Sequence, residues 1–262
     1  MNSFKKTAAI LFLATLSLAS CKSSKEEEKG KEEKELTFVE KTEKAHNKEA
    51  FATQEAVQFD IQLFFGGQER LNATVTLLTN SSKGLISFKN GAKIIADKDK
   101  VFYSPNVPSE KSVRFDAYTW SYFFLFPYKM SDGGTKWETY NNSEVDHEKF
   151  DTERLRFEAG TGDAPDDWYI VYTNKENHLL EKVVYIVSLG KGKEEAEKEP
   201  HGMEYKDYVT VDGVPFATKW IYKGWIKGQG MTEEIGNATL SNIKFVKVDA
   251  NTFTPGADFK TI

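Results

Sequence analysis

The chain has 262 residues, of which 39% are hydrophobic and 13% aromatic, so it is long enough to bury a sizeable core. A mean hydropathy of −0.53 excludes a polytopic membrane protein. A net charge of −5 argues against nucleic acid as a partner, because phosphate binding needs a clustered excess of Lys and Arg. The single cysteine excludes an internal disulfide framework and any metal site made of several cysteines.

The N-terminal segment has the pattern of a secretory signal peptide. Two early lysines precede a mainly apolar stretch, Ala8–Leu18, that is too short to span a bilayer. The run Leu18-Ala19-Ser20-Cys21 follows and resembles the lipobox of bacterial lipoprotein precursors. The resemblance implies a signal peptide over residues 1–20 and acyl chains, palmitate among them, on Cys21. The alternatives are a chance cysteine after an ordinary signal peptide and a buried apolar helix.

Residues 22–35 are highly charged, with five Lys, six Glu and no apolar side chain. They cannot contribute to a core, so we expect Cys21 to be followed by a solvated tether with a reach of about 20 Å. By resemblance to bacterial lipoproteins, Lys22 after the acylated cysteine favours the outer membrane. The run Glu26-Glu27-Glu28 resembles acidic cell-surface signals, although an ordinary charged linker explains it equally well. We therefore expect an envelope protein that is anchored in the membrane and faces the periplasm or the cell surface.

The folded part begins with an amphipathic helix over Leu36–Gln54, where apolar residues recur at mixed helical spacing. The period then changes to two. Val57–Phe65 alternates apolar and polar residues, and Leu71–Leu77 does the same after the turn Gly66-Gly67, which predicts an antiparallel hairpin. Turn residues separate the short strands that follow, namely Leu85–Phe88, Lys93–Ala96 and Val101–Tyr103.

An aromatic helix interrupts the strands at Phe115–Lys129. Its aromatic residues recur at i, i+3, i+7 and i+11 and also fill much of the remaining circumference, as expected of a buried helix. Pro127 is expected to end the helix, because proline disfavours helical geometry in the residue before it. The later strands are predicted at Leu155–Glu158, Trp168–Thr173, Leu179–Val187, Tyr205–Val211, Phe216–Ile226 and Ala238–Val248, with a short helix or loop at Glu194–Glu199.

Many short antiparallel strands with few helices predict a mainly β domain of the α+β class over residues 36–262. A flat sandwich covers its core with its own two sheets, whereas a strongly curved sheet leaves an apolar concavity. We therefore expect an antiparallel curved sheet, or an incompletely closed half-barrel, with the buried aromatic helix as a plug. No fixed-period repeat or linker divides this region, so one domain is the simplest arrangement.

This order of elements resembles the lipoprotein-carrier fold of the periplasmic and outer-membrane lipoprotein localisation factors. The stretches Ser112–Pro127 and Gly160–Tyr169 are also similar to those in a family of uncharacterised bacterial envelope lipoproteins. The resemblance implies a half-barrel whose interior takes the acyl chain of a lipid or a lipoprotein.

Residue patterns typical of catalysis or metal binding are scarce. His46, His147, His178 and His201 are scattered without ligand spacing and are expected at surface or loop positions, so no metal site is predicted. No nucleophile elbow, phosphate-binding loop or dinucleotide fingerprint occurs, and we expect neither a cofactor nor catalytic residues.

Carboxylates offer two weaker alternatives. The loop Gly160–Asp167 places three Asp within five residues and presents oxygen ligands to calcium, although its spacing is not that of an EF-hand and a tight turn explains it as well. An acid–base hydrolase that uses Asp163 or Glu158 would need two carboxyl groups to converge in a cleft.

The candidate ligand-binding residues are the aromatic side chains of the helix and of one later strand, namely Phe115, Tyr118, Trp120, Tyr122, Phe123, Phe124, Phe126, Trp220 and Trp225. Core packing accounts for them, and so does an apolar ligand cavity between helix and sheet. The leading hypothesis is non-enzymatic binding of an acyl chain or another hydrophobic ligand, in lipid or lipoprotein trafficking. The alternative is an interaction module that binds protein or glycan through surface loops without an internal ligand. Sugars stacked on Trp220 or Trp225 are a third explanation of the aromatic residues and would need these indoles to face solvent.

Overall fold

The structure, a computed structural model, describes residues 35–144 and 146–262. The expected signal peptide, the lipidated Cys21 and nearly all of the charged tether lie outside these residues. Residues Leu36–Ile262 form one compact unit. Within the described residues, no helix combines the length and the apolar character that crossing a membrane requires.

Two short helices, α1 (Phe38–Ala45) and α2 (Lys48–Thr53), replace the single helix expected over Leu36–Gln54. The first begins with a capping box, in which the Thr37 hydroxyl and the Glu40 carboxylate each accept a backbone N–H of the other residue. The chain then turns at Asn47, whose φ of 51° lies in the left-handed region. Asn47 cannot continue a right-handed helix in that conformation, so the prediction of one helix was wrong at this point.

In the described part of the chain, thirteen strands form a single sheet in which every neighbouring pair is antiparallel. Their order across the sheet is β13-β5-β4-β3-β2-β1-β12-β11-β10-β9-β8-β7-β6. The strand bounds are β1 Ala56–Phe65, β2 Gln68–Leu78, β3 Lys83–Phe88, β4 Lys93–Asp97, β5 Lys100–Tyr103, β6 Thr135–Thr139, β7 Phe150–Phe157, β8 Tyr169–Asn174, β9 Leu180–Tyr185, β10 His201–Val211, β11 Val214–Ile226, β12 Gly230–Val246 and β13 Lys260–Thr261.

The hairpin predicted around Gly66-Gly67 is confirmed as β1 and β2. Several strand predictions were wrong in extent. β7 begins at Phe150 rather than Leu155 and β10 at His201 rather than Tyr205, and the short edge strand β13 was not predicted. β12 starts at Gly230 rather than Ala238, because its first half mixes glycines, polar residues and isolated apolar residues without the apolar alternation that marks a strand. β6 was not predicted, because this short edge strand is mostly exposed and has little apolar pattern.

The third helix, α3, spans Val113–Leu125 and continues as a 3₁₀ turn over Phe126–Tyr128. It is largely buried, as predicted, and Pro127 lies within the 3₁₀ turn, just after the α-helix ends. One further short helix, α4, covers Lys193–Ala196.

The path of α3 shows that the sheet is curved. The helix contacts β4 on one side, and on the other its Tyr122 ring lies 5.6 Å from the Tyr169 ring of β8. Eight strand spacings separate β4 from β8, which is about 38 Å along a flat sheet, whereas a helix is only about 10–12 Å wide. The sheet must therefore wrap around α3. The predicted open, curved antiparallel sheet with an internal aromatic helix is confirmed.

The two faces of the sheet bury different clusters. On β8, Tyr169 and Val171 join the main core with α3, whereas Ile170 and Tyr172 point to the opposite face, as alternation requires. Ile170 and Tyr172 belong to a second cluster, the convex-face cluster, which also includes Phe150, Trp168, Ala196 and Trp225. The concave face therefore holds the main core and α3, while a smaller cluster covers part of the convex face.

One histidine prediction was wrong, because His46 at the end of α1 is fully buried. Its Nδ1 lies 2.9 Å from the Thr42 carbonyl oxygen, and its ring packs edge-on against Tyr128 and Tyr208. Burial lowers the pKa of His46 to about 4, so the ring is neutral near pH 7. His201 also departs from the expected loop position, since it begins β10 and is half-buried.

Candidate ligand-binding site

A partly open cavity of about 420 Å³ lies beside α3 on the concave face of the sheet. One wall comes from the β2–β4 side, with Leu77, Gly84 and Ala96. The opposite wall comes from β7, β8 and β9, with Phe157, Tyr169 and Tyr185. The helix therefore does not fill the concave side of the sheet, and space remains between α3 and both walls.

Four of the predicted aromatic residues line this cavity. They are Phe115, Tyr118, Tyr122 and Phe123, all on α3. Of these, Phe123 is buried and the other three are half-buried. The hydroxyl of Tyr118 donates a hydrogen bond of 3.0 Å to the Lys98 carbonyl oxygen, which ties this side of α3 to the turn between β4 and β5.

The other three candidate aromatic residues of α3 and the 3₁₀ turn after it pack against the core. Phe124 is stacked on Phe59 of β1 with ring centroids 4.0 Å apart, and Phe126 packs on Tyr169 at 5.2 Å. Trp120 is 3% exposed and packs edge-on against Tyr222. None of the three lines the cavity, so their geometry is that of core residues.

A buried charge orients Trp120. The Asp116 carboxylate, one turn earlier on α3, accepts hydrogen bonds from the Trp120 indole at 2.9 Å, from the Arg70 guanidinium at 2.7 Å and from the Ser112 hydroxyl at 2.8 Å. Asp116 is 2% exposed, so these donors replace the water it loses on folding. The network holds the N-terminal part of α3 against β2.

Trp220 and Trp225 lie on opposite faces of β11. Trp220 belongs to the core around α3 and borders only a small space of about 10 Å³, which is far too small for a chain. Trp225 belongs to the convex-face cluster, where its indole donates to the Glu144 carboxylate at 2.7 Å. The two indoles are 1% and 8% exposed, so the expectation of solvent-facing rings that stack on sugars was wrong.

Charged residues surround the cavity in pairs. The Arg114 guanidinium donates to the Asp163 carboxylate, Lys129 pairs with Asp132, and Lys83 pairs with Asp97. The bond to Asp163 raises the pKa of Arg114 above its usual value. Because most of these charges neutralise each other, the mouth is polar but carries little net field.

The acidic loop Gly160–Asp167 forms part of the border of the cavity. Asp163 is held by Arg114, and Asp167 accepts the Ser188 backbone N–H at 2.7 Å. Burial raises the pKa of Asp167 above its usual range. Among the described residues, no group of three or more His, Cys, Asp or Glu side chains is placed to hold a metal ion. Glu158, the other carboxylate considered for acid–base chemistry, is largely exposed and lies 3.4 Å from Lys136.

Sequence reasoning missed the wall opposite the helix. Tyr169 and Tyr185 face each other across β8 and β9, and both line the cavity. Both residues fall in strands that were predicted, but a strand taken alone does not show which of its two faces is concave. The pairing of β8 with β9 shows that Tyr169 and Tyr185 both lie on the concave face.

No protein-family model and no curated protein matches this chain. Among solved structures, a LolA superfamily protein from Nitrosomonas europaea superposes with a TM-score of 0.53 at 13% identity, over 81% of this chain and 97% of that one. This chain has a LolA-like fold. A putative outer membrane lipoprotein-sorting protein domain from Vibrio parahaemolyticus gives a TM-score of 0.51 at 10% identity, over 82% of this chain and 95% of that one. Identities this low establish the fold alone.

Proposed function

We propose that this protein is a lipid-anchored component of the bacterial cell envelope that binds one acyl chain in the cavity beside α3. The observation that carries the proposal is the cavity itself, whose walls are mostly apolar and aromatic. Its volume of about 420 Å³ lies in the range of about 300–1,000 Å³ that is typical of small-molecule sites. The lipoprotein-sorting domain that shares the fold supports the same class of ligand.

Reversible binding needs no catalytic group. Each methylene moved from water into an apolar cavity contributes about 0.8 kcal/mol, so ten methylenes contribute about 8 kcal/mol. The loss of translational and rotational freedom on binding offsets part of this gain. A carrier that must also release its ligand benefits from such a moderate balance.

Membrane anchoring in this proposal depends on the sequence. The lipobox-like run that ends at Cys21 supplies the acyl anchor, and residues 22–35 supply the tether that separates the domain of residues 36–262 from the lipid headgroups. The outer membrane, with the domain in the periplasm or at the cell surface, is the proposed location.

Ligand binding is tested with the full chain that carries Cys21→Ser, which has no acyl chains of its own. We expect palmitoyl lysophosphatidylcholine to bind at one molecule per chain, measured by native mass spectrometry and by calorimetry below its micelle concentration. Ala96→Phe and, separately, Thr119→Phe place a ring into the cavity from β4 and from α3, and each is expected to weaken binding at least about tenfold.

The matched control is Thr239→Phe, which places the same ring at an exposed position on β12 and is expected to leave binding unchanged. Circular dichroism checks that each variant is folded. A parent chain that purifies without lipid and fails to bind the lysolipid would contradict the proposal. That result would favour an interaction module and make partner capture the next experiment.

A further inference from the structure

Three tyrosines line the cavity on the side of β8 and β9. Tyr169 and Tyr185 are paired across β8 and β9, and their rings lie 6.0 Å apart. Tyr122 on α3 packs against Tyr169 at 5.6 Å. All three line the cavity, and Tyr169 and Tyr185 are 7% and 6% exposed.

None of these three hydroxyls has a hydrogen-bond partner among the described residues. Four tyrosines packed elsewhere in the structure behave differently, because each of their hydroxyls donates to a nearby carbonyl or carboxylate oxygen. The donor–acceptor pairs are Tyr128 to Pro215 at 3.1 Å, Tyr172 to Glu144 at 2.7 Å, Tyr205 to Phe123 at 3.0 Å and Tyr208 to Leu180 at 2.6 Å.

The side chains of Tyr169 and Tyr185 are buried, but their hydroxyls and that of Tyr122 are not among the fully enclosed polar atoms without a partner. A hydroxyl that has no protein partner and still opens to a cavity favours a ligand or water that supplies the acceptor. Tyr222 is a separate case, since its hydroxyl is fully enclosed in the core and does not line the cavity. The other three hydroxyls differ because a molecule in the cavity can reach them. This arrangement is typical of a binding site that places a few polar groups on an apolar wall.

We infer that the ligand of this cavity carries an uncharged hydrogen-bond acceptor, the carbonyl oxygen of an ester or amide. Its two lone pairs accept hydrogen bonds from hydroxyls of the cluster Tyr122, Tyr169 and Tyr185. The inference rests on the proposed function and adds the chemical class of the ligand. The acyl chain occupies the apolar part of the cavity, and the carbonyl that joins it to the rest of the molecule lies at the tyrosines.

Next to Tyr122 and Tyr169 the local charge comes from Asp167 and favours a neutral acceptor over a carboxylate or a phosphate, although the cavity lining also includes cations such as Lys98. Asp167 lines the same cavity and has no ion-pair partner among the described residues. An anionic ligand group beside it would be repelled. Burial raises the pKa of Tyr122, Tyr169 and Tyr185 above the usual value, so all three remain protonated donors at neutral pH.

The test compares two lysolipids that differ in one carbonyl. Palmitoyl lysophosphatidylcholine carries the ester, and its hexadecyl ether analogue has the same chain length and headgroup without the carbonyl oxygen. We expect the full chain with Cys21→Ser to bind the ester about three- to tenfold more tightly by calorimetry, which is the range for hydrogen bonds between uncharged groups.

The triple variant Tyr122→Phe, Tyr169→Phe and Tyr185→Phe keeps the rings and removes the hydroxyls. It is expected to bind the ester only as tightly as the ether, with ether affinity within about twofold of the parent chain. Tyr222→Phe is the matched control, because it removes an unpartnered hydroxyl outside the cavity and is expected to keep the preference. The single Tyr169→Phe and Tyr185→Phe variants replace the triple variant if that chain fails to fold.

Equal binding of ester and ether by the parent chain would overturn the inference and leave the proposed function intact. A preference that persists in the folded triple variant would also overturn it. If neither lysolipid binds the parent chain, the proposed function fails and this inference fails with it.

Discussion

The two sides of α3 have similar composition and opposite roles. On the side that faces β1 and β11, Phe124 lies between the rings of Phe59 and Phe216, with centroids 4.0 and 5.4 Å away. On the other side, Phe115 and Tyr122 are half-buried and border a cavity of about 420 Å³. Aromatic content alone therefore does not separate a core from a binding site. The distance between the helix and the facing strands separates the core from the candidate binding site.

The largest expected difference between the two sides is in stability. Phe124→Ala removes a ring that is stacked on both faces, and we expect it to lower the free energy of unfolding by about 3–5 kcal/mol. Phe115→Ala removes the same ring from a half-buried position beside the cavity, and the expected loss is less than half as large. Urea unfolding of the two variants measures the difference. Equal losses would mean that the cavity side is packed as tightly as the core.

A pH titration distinguishes the packed region around His46 from the rest of the molecule. The pKa of His46 is about 4 in the folded protein and about 6.5 when unfolded, so the unfolded chain binds more protons between these values. The contribution of neutral His46 to the free energy of unfolding is therefore complete above about pH 6.5. It falls by about 3 kcal/mol in total as the pH drops to about 4.

The measurement is the free energy of unfolding from pH 7.5 to 4 for the parent chain and for His46→Gln. In His46→Gln the free energy of unfolding is expected to change less with pH across this range, independently of how stable the variant is at neutral pH. His147→Gln, at an exposed histidine, is the matched control and is expected to keep the slope. A slope unchanged by His46→Gln would show that another group controls the acid sensitivity.

Two arginine–aspartate pairs allow the core side and the cavity side to be compared at the N-terminal end of α3. Asp116 is buried on the core side and receives Arg70, whereas Asp163 receives Arg114 at the border of the cavity. Arg70→Met leaves a buried carboxylate short of a charged donor and is expected to cost about 1–3 kcal/mol. Arg114→Met affects a partly exposed pair and is expected to cost less than about 1 kcal/mol.

Thermal and urea unfolding of both variants provide the test. The reverse order, with Arg114→Met the more destabilising, would mean that the border of the cavity contributes to stability as strongly as the packed side of the helix.

Much of the architecture was accessible from the sequence. The period of two in Val57–Phe65 and Leu71–Leu77 identified the first hairpin, and the continuous aromatic circumference of residues 115–126 identified a buried helix. The break at Asn47 was not accessible, because its left-handed backbone is a property of one residue inside an otherwise helical pattern.

One error at the candidate site could have been avoided. Trp220 and Trp225 are five residues apart on one strand, and an odd separation places side chains on opposite faces of a sheet. The spacing alone therefore argued against a shared pocket. Two register shifts in β11, between Tyr222 and Trp225, do not restore a common face.

Alternation and helical periodicity are local properties of consecutive residues, so the residue pattern was enough to predict an antiparallel sheet around an aromatic helix. It also determined the chemistry of the helix surface. The residue pattern does not show which of those rings pack against a strand and which border a cavity. That choice depends on the curvature of the sheet and on the pairing of β8 with β9, which brings Tyr169 and Tyr185 opposite Tyr122 across long sequence separations.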